Sequence, residues 1–310
     1  MPMIPSTSVD QVLEHVISHI KAHVSSISNN AIKPPFILGL TGLQGSGKST
    51  WTDALVSTLR DKHNYHTINI SLDDLYLDHD RLVKLRERQP PNKLLQTRGQ
   101  PGTHDTDLSL QFFKSLMNPL KDILLPSFDK SLFNGEGGRV PCEKWKRIPA
   151  SEAVDIVIFE GWCVGFQPLE EDQLRSQWHQ AAEMESKSHY STHTLKDHSI
   201  QNLLEVNGHL RQYCQSFMGP QHFNYLIHLD TDDLVNVYEW RLQQEHAMWK
   251  AKNEGMSDES VVKFVKGYMP AYELYLNQLR KGFFADGGEK GQLRVVLDKE
   301  RRITRMSSTY

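Results

Sequence analysis

The chain has 310 residues, of which 38% are hydrophobic and 24% charged, and these proportions are typical of a globular chain that buries a sizeable core. Its net charge is −3 at pH 7, whereas nucleic-acid-binding proteins are usually strongly basic, so we expect no nucleic-acid partner. Since no apolar run approaches the length of a membrane span, we expect no membrane partner either.

The N-terminal segment predicts an amphipathic helix over residues 9–28, because aliphatic residues recur there at helical spacing. The segment does not resemble a transit peptide, which would be rich in arginine, since Asp10 and Glu14 come early and the first arginine is Arg60. The three cysteines are far apart and lack zinc-type spacing, which favours a reducing compartment. We therefore expect a cytosolic protein, with the nucleus as an open alternative, that acts as a monomer.

Strand and helix patterns alternate along the rest of the chain. Short apolar runs, typical of strands buried on both faces, lie at 36–41, 66–72, 154–159, 225–229 and 293–297. Helical patterns lie between them, at 48–62, 81–88, 108–120, much of 170–218, 234–252 and 259–279, with a kink or break expected near Pro270. This order predicts an α/β fold in three layers, a mostly parallel sheet with helices on both faces.

We expect one domain, spanning residues 1–310, that carries insertions. The predicted additions are an acceptor-site insertion at about 90–150, which is irregular, a helical insertion at about 170–218, and a lid region at about 234–256. In parallel sheets, ligands bind beyond the carboxyl ends of the strands. The polar residues that follow predicted strands are therefore the first candidates for a functional site.

A glycine-rich segment follows the first predicted strand and leads into a predicted helix. It reads Gly42-Leu43-Gln44-Gly45-Ser46-Gly47-Lys48-Ser49, and it matches the phosphate-loop pattern G-x-x-x-x-G-K-[ST]. Glycines allow backbone amides to turn toward an anion, and the positive end of the helix faces the same point. We predict a P-loop NTPase fold in which Lys48 reaches the β- and γ-phosphates of ATP and the Ser49 hydroxyl is a ligand of Mg²⁺. The predicted ATP-binding residues are Gly42, Leu43, Gln44, Gly45, Ser46, Gly47, Lys48, Ser49 and Thr50.

Two carboxylates, Asp73 and Asp74, follow the second predicted strand. Transfer of a phosphoryl group to an alcohol benefits from a carboxylate that takes the hydroxyl proton. One of the two would accept that proton, while the other contacts Mg²⁺ or substrate. The alternative is that they cap the turn that follows, because aspartate is a favoured N-cap residue.

Glu160 ends the third predicted strand, where P-loop proteins place an acid that holds Mg²⁺, usually through water. Arg241 lies on the predicted helix of the lid region, from which it would close over the phosphates and neutralise charge in the transition state. The alternative for Arg241 is a surface ion pair with Glu245, four residues later, and periodicity alone favours that alternative.

This combination resembles the P-loop small-molecule kinases that include uridine kinase, phosphoribulokinase and bacterial pantothenate kinase. In that group the aspartate after the second strand is the catalytic base, and Asp73 stands at the matching position here. The Walker-B glutamate of the group, which is followed by glycine, corresponds to Glu160-Gly161. The resemblance therefore implies that Asp73 is catalytic and that Glu160 belongs to the metal site.

More specifically, the chain is similar to plant-type D-glycerate 3-kinase and its fungal relatives, over residues from about 36 to 279. The segments that carry this likeness, besides the phosphate loop, are Asp73-Asp74-Leu75-Tyr76, Asn92-Lys93-Leu94-Leu95-Gln96, Arg98-Gly99-Gln100-Pro101-Gly102-Thr103-His104-Asp105, Phe128-Asp129-Lys130-Ser131, Gly135-Glu136-Gly137, Glu160-Gly161-Trp162, Trp240-Arg241-Leu242-Gln243-Gln244-Glu245 and Tyr268-Met269-Pro270-Ala271-Tyr272. The resemblance implies transfer of the γ-phosphoryl group of ATP to a small anionic hydroxy acid, D-glycerate, giving 3-phosphoglycerate.

The acceptor pocket predicted from the residues agrees in outline. Arg98 lies in a Gly/Pro loop and would aim its planar guanidinium at a carboxylate. Lys130 and Arg139 lie in the irregular stretch where a substrate-specific insertion is expected. His104 and Asp105 would shape the pocket, although Asp105 is also a candidate N-cap of the next helix and His104 a candidate structural histidine. Asp74 and Tyr76, next to the predicted base, complete the predicted substrate-binding set.

Three alternatives stay open at this point. A kinase of the same family would act on a different small metabolite. A nucleotide-binding regulator would bind ATP without transferring phosphate. A P-loop GTPase or mechanical ATPase would need neither the aspartate pair nor an acceptor loop, and the Asn-Lys-x-Asp motif that reads guanine is absent from the sequence.

Overall fold

The computed structural model describes residues 4–25, 34–117, 121–181, 190–252, 255–284 and 290–309. In this part of the chain the strands are β1 (Phe36–Gly42), β2 (Thr67–Ser71), β3 (Ile123–Leu125), β4 (Phe128–Asp129), β5 (Gly138–Arg139), β6 (Lys146–Ile148), β7 (Ile156–Gly161), β8 (Tyr225–Asp230), β9 (Gly291–Leu297) and β10 (Ile303–Thr309). The α-helices are α1 (Ser6–Ser25), α2 (Lys48–Asp61), α3 (His79–Arg88), α4 (Thr106–Met117), α5 (Glu171–Gln180), α6 (Ile200–Tyr213), α7 (Val235–Lys252), α8 (Asp258–Lys266) and α9 (Met269–Lys281).

The main sheet has six strands in the order β10-β9-β8-β1-β7-β2. All pairings are parallel except the one between β9 and the edge strand β10. Every residue of β1, β7 and β8 is buried, and because successive side chains point to opposite faces, both faces of these central strands are covered. The predicted α/β fold with a mostly parallel sheet is therefore confirmed.

Helix α1 covers part of this core. It begins at Ser6, three residues earlier than predicted, and ends among the described residues at Ser25, so residues 26–28 of the prediction lie outside them. Its buried residues are Val9, Val12, Leu13, Val16 and Ile20. Full burial of one such aliphatic side chain is worth about 1.5–3 kcal/mol relative to exposure, so this apolar face anchors the helix firmly.

Several element boundaries differ from the sequence prediction for clear reasons. Strand β7 continues through Glu160 and Gly161, which we expected to stop it, because parallel pairing with its neighbours continues there. The predicted helix 259–279 is two helices, and Pro270 stands in the first turn of α9, where the missing N–H costs nothing. Strand β10 was not predicted, since it is an edge strand without an apolar run.

The predicted insertions have distinct structures. The acceptor-site insertion contains α4 and two small antiparallel sheets, β3 with β6 and β4 with β5. The helical insertion contains α5 and α6, and its residues 182–189 lie outside the described residues. The lid region consists mainly of α7, and residues 253–254 at its end are likewise not described. Within the described residues, no helix is both long and apolar enough to cross a membrane.

Candidate active site

The glycine-rich loop connects the buried strand β1 to the first turn of α2. Gly45 and Gly47 have φ values of +79° and +91°, a region in which glycine is strongly favoured. A Cβ atom on Gly45 would lie 2.7 Å from the Cβ of Trp240, so this glycine also lets α7 approach the loop. The Lys48 ammonium donates hydrogen bonds to the carbonyl oxygens of Gly42 and Leu43, at 2.9 and 3.2 Å.

Distant parts of the chain brace this loop. The backbone N–H of Gln44 donates to the hydroxyl of Tyr272 on α9, at 3.0 Å. The guanidinium of Arg301 donates to the carbonyl oxygen of Gly45, at 2.7 Å. The loop is therefore positioned from both sides by residues more than 200 positions away in sequence. Neither brace has a local sequence signal, and both were missed by sequence reasoning.

A cleft of about 190 Å³ opens beside the loop, and we call it the phosphate cleft. The predicted site residues that line it are Gln44, Gly45, Gly47, Lys48, Ser49, Thr50, Asp73, Lys130, Glu160 and Arg241. Residues that line it without having been assigned to the site are Ser71, Gly161, Trp162 and Gln244. The sheet register explains the convergence, because Ser71 at the end of β2 lies opposite Glu160 at the end of β7.

Asp73 and Asp74 lie in one short turn but face different partners. Ser71 caps the turn, since its hydroxyl accepts from the N–H of Asp73, and the Asp74 carboxylate accepts from the N–H of Ser71 in return. Asp74 also accepts from the N–H of Phe128 and does not line the phosphate cleft. The N-cap is therefore Ser71 and neither aspartate; Asp74 completes the capping box from the third position of the turn, while Asp73 keeps its side chain for the cleft.

The Asp73 carboxylate accepts a hydrogen bond from the Lys130 ammonium at 2.5 Å. Burial opposes the ionisation of Asp73, but the charge and hydrogen bond of Lys130, the hydrogen bond of Tyr76 and His104 outweigh it, so the pKa of Asp73 lies below its ordinary value. Asp73 is consequently a carboxylate at neutral pH. Its position beside the loop's Lys48 gives the cleft one anion and one cation that belong to different elements.

Glu160 and Lys48 form the floor of the cleft. Glu160 is 8% exposed, and this burial raises its pKa, with the positive charge of Lys48 and a hydrogen bond from Ser71 acting in the opposite direction. Burial likewise lowers the pKa of Lys48, with the negative charges of Glu160 and Asp73 acting against it. Each charge thus reduces the cost of burying the other.

Arg241 makes the expected pair with Glu245, but this pair is not at the surface. It forms an ion pair with Glu245 one turn later on α7, and it also lines the phosphate cleft. Its guanidinium lies 5.1 Å from the ring centre of Phe264, and Glu245 is 1% exposed and accepts from the N–H of Met256. The ion pair therefore holds the arginine at the cleft and does not draw it to the surface.

Arg98 does not line the phosphate cleft. Its guanidinium donates to the carbonyl oxygens of Gly135 and Glu136, both at 2.6 Å, and borders a neighbouring cavity of about 220 Å³. The planar donor group that we expected to face a substrate carboxylate is thus engaged with backbone oxygens. No local pattern predicted this contact, because it joins two loops that lie 37 residues apart.

Arg139 and Asp105 also lie outside the cleft lining and pair with each other. Arg139 donates to Asp105 at 3.0 Å and to the carbonyl oxygen of Tyr76 at 2.7 Å. Asp105 also pairs with Arg81 and accepts from the N–H of Leu108, as an N-cap of α4 does. The capping alternative for Asp105 is therefore what the structure has.

Tyr76 and His104 form the wall behind Asp73. Their rings stack with centres 4.4 Å apart, and the Tyr76 hydroxyl hydrogen-bonds to Asp73. Burial lowers the pKa of His104 to about 3, so the ring is neutral. His104 Nδ1 contacts the Tyr213 hydroxyl, and its Nε2 has no hydrogen-bond partner among the described residues.

The chain is similar over most of its length to known kinases. The chain is 38% identical over 272 residues to the uncharacterized kinase mug58 of Schizosaccharomyces pombe, covering 86% of this chain and 89% of that protein. It is 35% identical over 300 residues to the probable ATP-dependent kinase TDA10 of Saccharomyces cerevisiae, covering 94% of each.

A solved structure of D-glycerate 3-kinase from Cryptococcus neoformans superposes with a TM-score of 0.83 and 33% identity, over 98% of this chain and 99% of that one. No family model matches the chain. Each of these three comparisons covers at least 86% of this chain and 89% of the relative. The chain therefore belongs to the D-glycerate 3-kinase-like family of P-loop kinases and is an ATP-dependent kinase.

Proposed function

We propose that this protein transfers the γ-phosphoryl group of ATP to a hydroxyl of a small anionic acceptor, and that this acceptor is D-glycerate, giving 3-phosphoglycerate and ADP. One observation carries the proposal. Lys48, Asp73, Glu160 and Arg241 come from four separate elements and line one cleft beside the phosphate loop. Their charges are those that in-line phosphoryl transfer needs around the reacting phosphorus.

On the nucleotide side, the backbone amides of residues 42–50 would bind the phosphates at the positive end of α2. Lys48 would contact the β- and γ-phosphates in place of its present carbonyl partners, since its ammonium lies beside the loop. Arg241 would neutralise charge that develops on the transferred group, held in position by its pair with Glu245.

The donor set of the cleft suits Mg²⁺. Ser49, Asp73 and Glu160 offer hard oxygen donors, and Mg²⁺ in kinases takes one or two carboxylates together with phosphate oxygens and waters. In the part of the chain that the structure describes, no group of three or more His, Cys, Asp or Glu residues is arranged to hold a metal by itself. We infer that the metal binds together with the nucleotide. When bound, it supplies positive charge to the phosphate oxygens.

For the transfer itself we assign the base to Asp73. The acceptor oxygen forms a bond to the γ-phosphorus, the bond from that phosphorus to the ADP oxygen breaks, and ADP leaves with the electron pair. The hydroxyl proton passes to the Asp73 carboxylate, which is ionised at neutral pH and lies in the cleft. Trp162 borders the same space, and its bulk would help to exclude water that could otherwise be the acceptor.

Acceptor binding is assigned to the region around Lys130. Its side chain is 57% exposed and its ammonium pairs with Asp73, so it is available to attract a carboxylate to the base. Tyr76 and His104 would form the wall of this site, while Arg98, Asp74, Asp105 and Arg139 would hold the surrounding loops by the contacts described above. The choice of D-glycerate rests on the likeness to the Cryptococcus enzyme named D-glycerate 3-kinase.

The thiols support the expected compartment. Cys142, Cys163 and Cys214 are all unpaired in the structure. Unpaired cysteines, one of them exposed, suit a reducing environment, and we propose the cytosol as the place of action.

The decisive experiment measures ADP release from purified protein with ATP, Mg²⁺ and a panel of small hydroxy acids that includes both enantiomers of glycerate. We expect D-glycerate to stimulate ADP release strongly, L-glycerate weakly, and Asp73→Asn to abolish the stimulation. If only a different acid stimulated ADP release, that acid would be the acceptor in place of glycerate. ATP binding without stimulation by any acid would favour the regulator, and acceptor-independent hydrolysis would favour an ATPase.

A further inference from the structure

Lys130 and Asp73 form an ion pair at the phosphate cleft, which both residues line. The Lys130 ammonium donates a hydrogen bond of 2.5 Å to Oδ2 of Asp73, and Asp73 is its only hydrogen-bond acceptor among the described residues. The Asp73 side chain is 30% exposed and that of Lys130 57%, so small molecules can reach both. The carboxylate assigned as the base therefore has a cation of the protein itself as its partner.

The backbone on both sides of Lys130 is held by neighbouring contacts. The N–H of Phe128 donates to the Asp74 carboxylate at 3.2 Å. The Asp129 carboxylate accepts from the N–H and the hydroxyl of Ser131, at 2.8 and 2.6 Å. The Lys130 ammonium is carried by a flexible, unbranched stem. It can therefore exchange one carboxylate for another while the backbone stays in place.

We propose that this ion pair keeps the base from activating water, and that the carboxylate of an anionic acceptor releases Asp73 by becoming the partner of Lys130. The inference rests on the proposed transfer to an anionic acceptor at this cleft. A general base must lie within hydrogen-bond reach of the proton that it takes, and the ammonium occupies that place on Oδ2 of Asp73. Water is neutral and replaces an ammonium on a carboxylate poorly, whereas a second carboxylate offers the ammonium an equivalent partner.

The distribution of charge in the cleft favours this exchange. Among the described residues that line the cleft, the cations are Lys48, Lys130 and Arg241. Lys48 and Arg241 are assigned to the phosphates, so Lys130 is the cation that remains for the acceptor. An ammonium bound to the acceptor carboxylate would also keep the acceptor hydroxyl near Asp73. The exchange therefore couples binding of an anion to release of the base, and an anionic acceptor gains in kcat as well as in KM.

The reaction that the pair suppresses is hydrolysis of ATP at the same cleft. In hydrolysis the oxygen of water forms a bond to the γ-phosphorus, the bond from that phosphorus to the ADP oxygen breaks, and ADP leaves with the electron pair. A proton of the water passes to Asp73 and then to solvent, and the products are ADP and inorganic phosphate. Since no acceptor takes part, the rate of hydrolysis reports on the access of water to the base.

The first test measures release of inorganic phosphate from ATP and Mg²⁺ without an acceptor. Lys130→Met should raise the rate about tenfold, the equivalent of about 1.4 kcal/mol in the barrier, because water then reaches Asp73. Lys144→Met, exposed in the same insertion, is the matched control and should leave the rate as it is. The increase should disappear when Asp73→Asn is added to Lys130→Met, whereas a general loosening of the cleft would not depend on the base. Unchanged or slower hydrolysis in Lys130→Met, or an increase that persists with Asp73→Asn, would overturn the proposal.

The second test uses the unaltered protein, so its result stands even if Lys130→Met fails to fold. Propionate has the carbon chain and the carboxylate of glycerate but no hydroxyl to phosphorylate. At saturation it should raise phosphate release from ATP about tenfold, because its carboxylate takes the ammonium from Asp73 and water becomes the acceptor. Propionamide, the uncharged analogue, should have no effect. Absence of stimulation by propionate, or equal stimulation by propionamide, would contradict the proposal.

Both tests are separable from the choice of D-glycerate as acceptor, since neither forms a phosphorylated acid. If both succeed while D-glycerate is not phosphorylated, the role of the ion pair stands and the acceptor is a different carboxylate. If D-glycerate is phosphorylated while both tests fail, the proposed function stands and the role assigned to the ion pair is wrong.

Discussion

The two walls of the phosphate cleft are built from different kinds of structure. The nucleotide wall consists of β1, the phosphate loop and α2, and it rests on strands that are buried on both faces. The acceptor wall consists of the turn at 72–76 and the insertion at 90–150, whose strands are only two or three residues long. Polar pairs such as Lys130 with Asp73 and Arg139 with Asp105 hold the acceptor wall together.

This difference separates two tasks. In the proposed function, the nucleotide wall would bind phosphates mainly through backbone groups, which do not depend on side-chain identity, so one short motif is sufficient to specify it. The acceptor wall would select its ligand through side chains on loops, where a few substitutions change the chemistry without disturbing the sheet. Changes in the first wall should therefore affect all acceptors alike, and changes in the second should affect acceptors unequally.

The largest effect is expected from Lys48→Ala on the nucleotide wall. Loss of a main electrostatic stabiliser should reduce turnover by about 10³-fold or more. The loss should be the same for every acceptor, as measured by kcat in the coupled ADP assay. Lys62→Ala, at the exposed end of α2 where Lys62 pairs with Asp10, is the control and should keep normal turnover. Near-normal turnover in Lys48→Ala would refute the assigned site.

Asp73→Asn should give the next largest effect. Without a proton acceptor, kcat should fall by about 10²–10⁴-fold, whereas the Kd of ATP should change little because the phosphate loop is intact. Asp129→Asn is the matched control, since this half-buried residue lies next to Lys130 and its carboxylate accepts hydrogen bonds from Ser131. Retained turnover in Asp73→Asn would show that another residue is the base. Loss of ATP binding would assign Asp73 to the nucleotide wall.

Acid should weaken the acceptor wall through buried His104, and the sheet that supports the nucleotide wall through buried His228. Burial lowers the pKa of His228, on β8, to about 4 and that of His104, behind Asp73, to about 3. Both values lie below the ordinary value of about 6.5 for unfolded chains, so the unfolded state takes up protons first as the pH falls. The free energy of unfolding should therefore be fully present above about pH 6.5 and decrease toward pH 4.

Denaturant unfolding between pH 7 and 4 measures this decrease, which should reach at most about 3 kcal/mol for His228. The charges facing His228 are Asp230, Arg280 and Arg294, and the attraction of Asp230 is offset by the two arginines. His228→Gln should flatten the pH dependence, whereas His179→Gln, on an exposed residue of α5, should leave it as it is. An unaltered slope in His228→Gln would show that His228 is not the group that titrates.

Sequence reasoning identified the nucleotide wall well, because its signals are local. The apolar runs, the glycine pattern and the strand ends lie within short segments, and parallel pairing then brings the end of β2 at Ser71 opposite Glu160. The role of Asp74 was harder to foresee, because Ser71 is the residue that caps the turn. The partners of Arg98 depend on a loop 37 residues away, which no periodic pattern records.

The smallest effect on turnover, and the sharpest test of the two walls, is expected from Lys130→Met. Methionine keeps the unbranched stem but removes the ammonium that pairs with Asp73 and is exposed toward the acceptor region. A hydrogen bond to a charged group is worth about 1.5–3 kcal/mol, so the KM for an anionic acceptor should rise by about 10–100-fold. The KM for ATP should not change, because Lys130 makes no contact with the phosphate loop among the described hydrogen bonds.

Lys144→Met, exposed in the same insertion, should leave both constants as they are. For an uncharged alcohol that the protein accepts, Lys130→Met should raise the KM less than it does for glycerate, because the alcohol has no carboxylate for Lys130 to attract. If Lys130→Met instead raised the KM for ATP and for all acceptors equally, Lys130 would belong to the nucleotide wall, and the division of tasks between the two walls would be wrong.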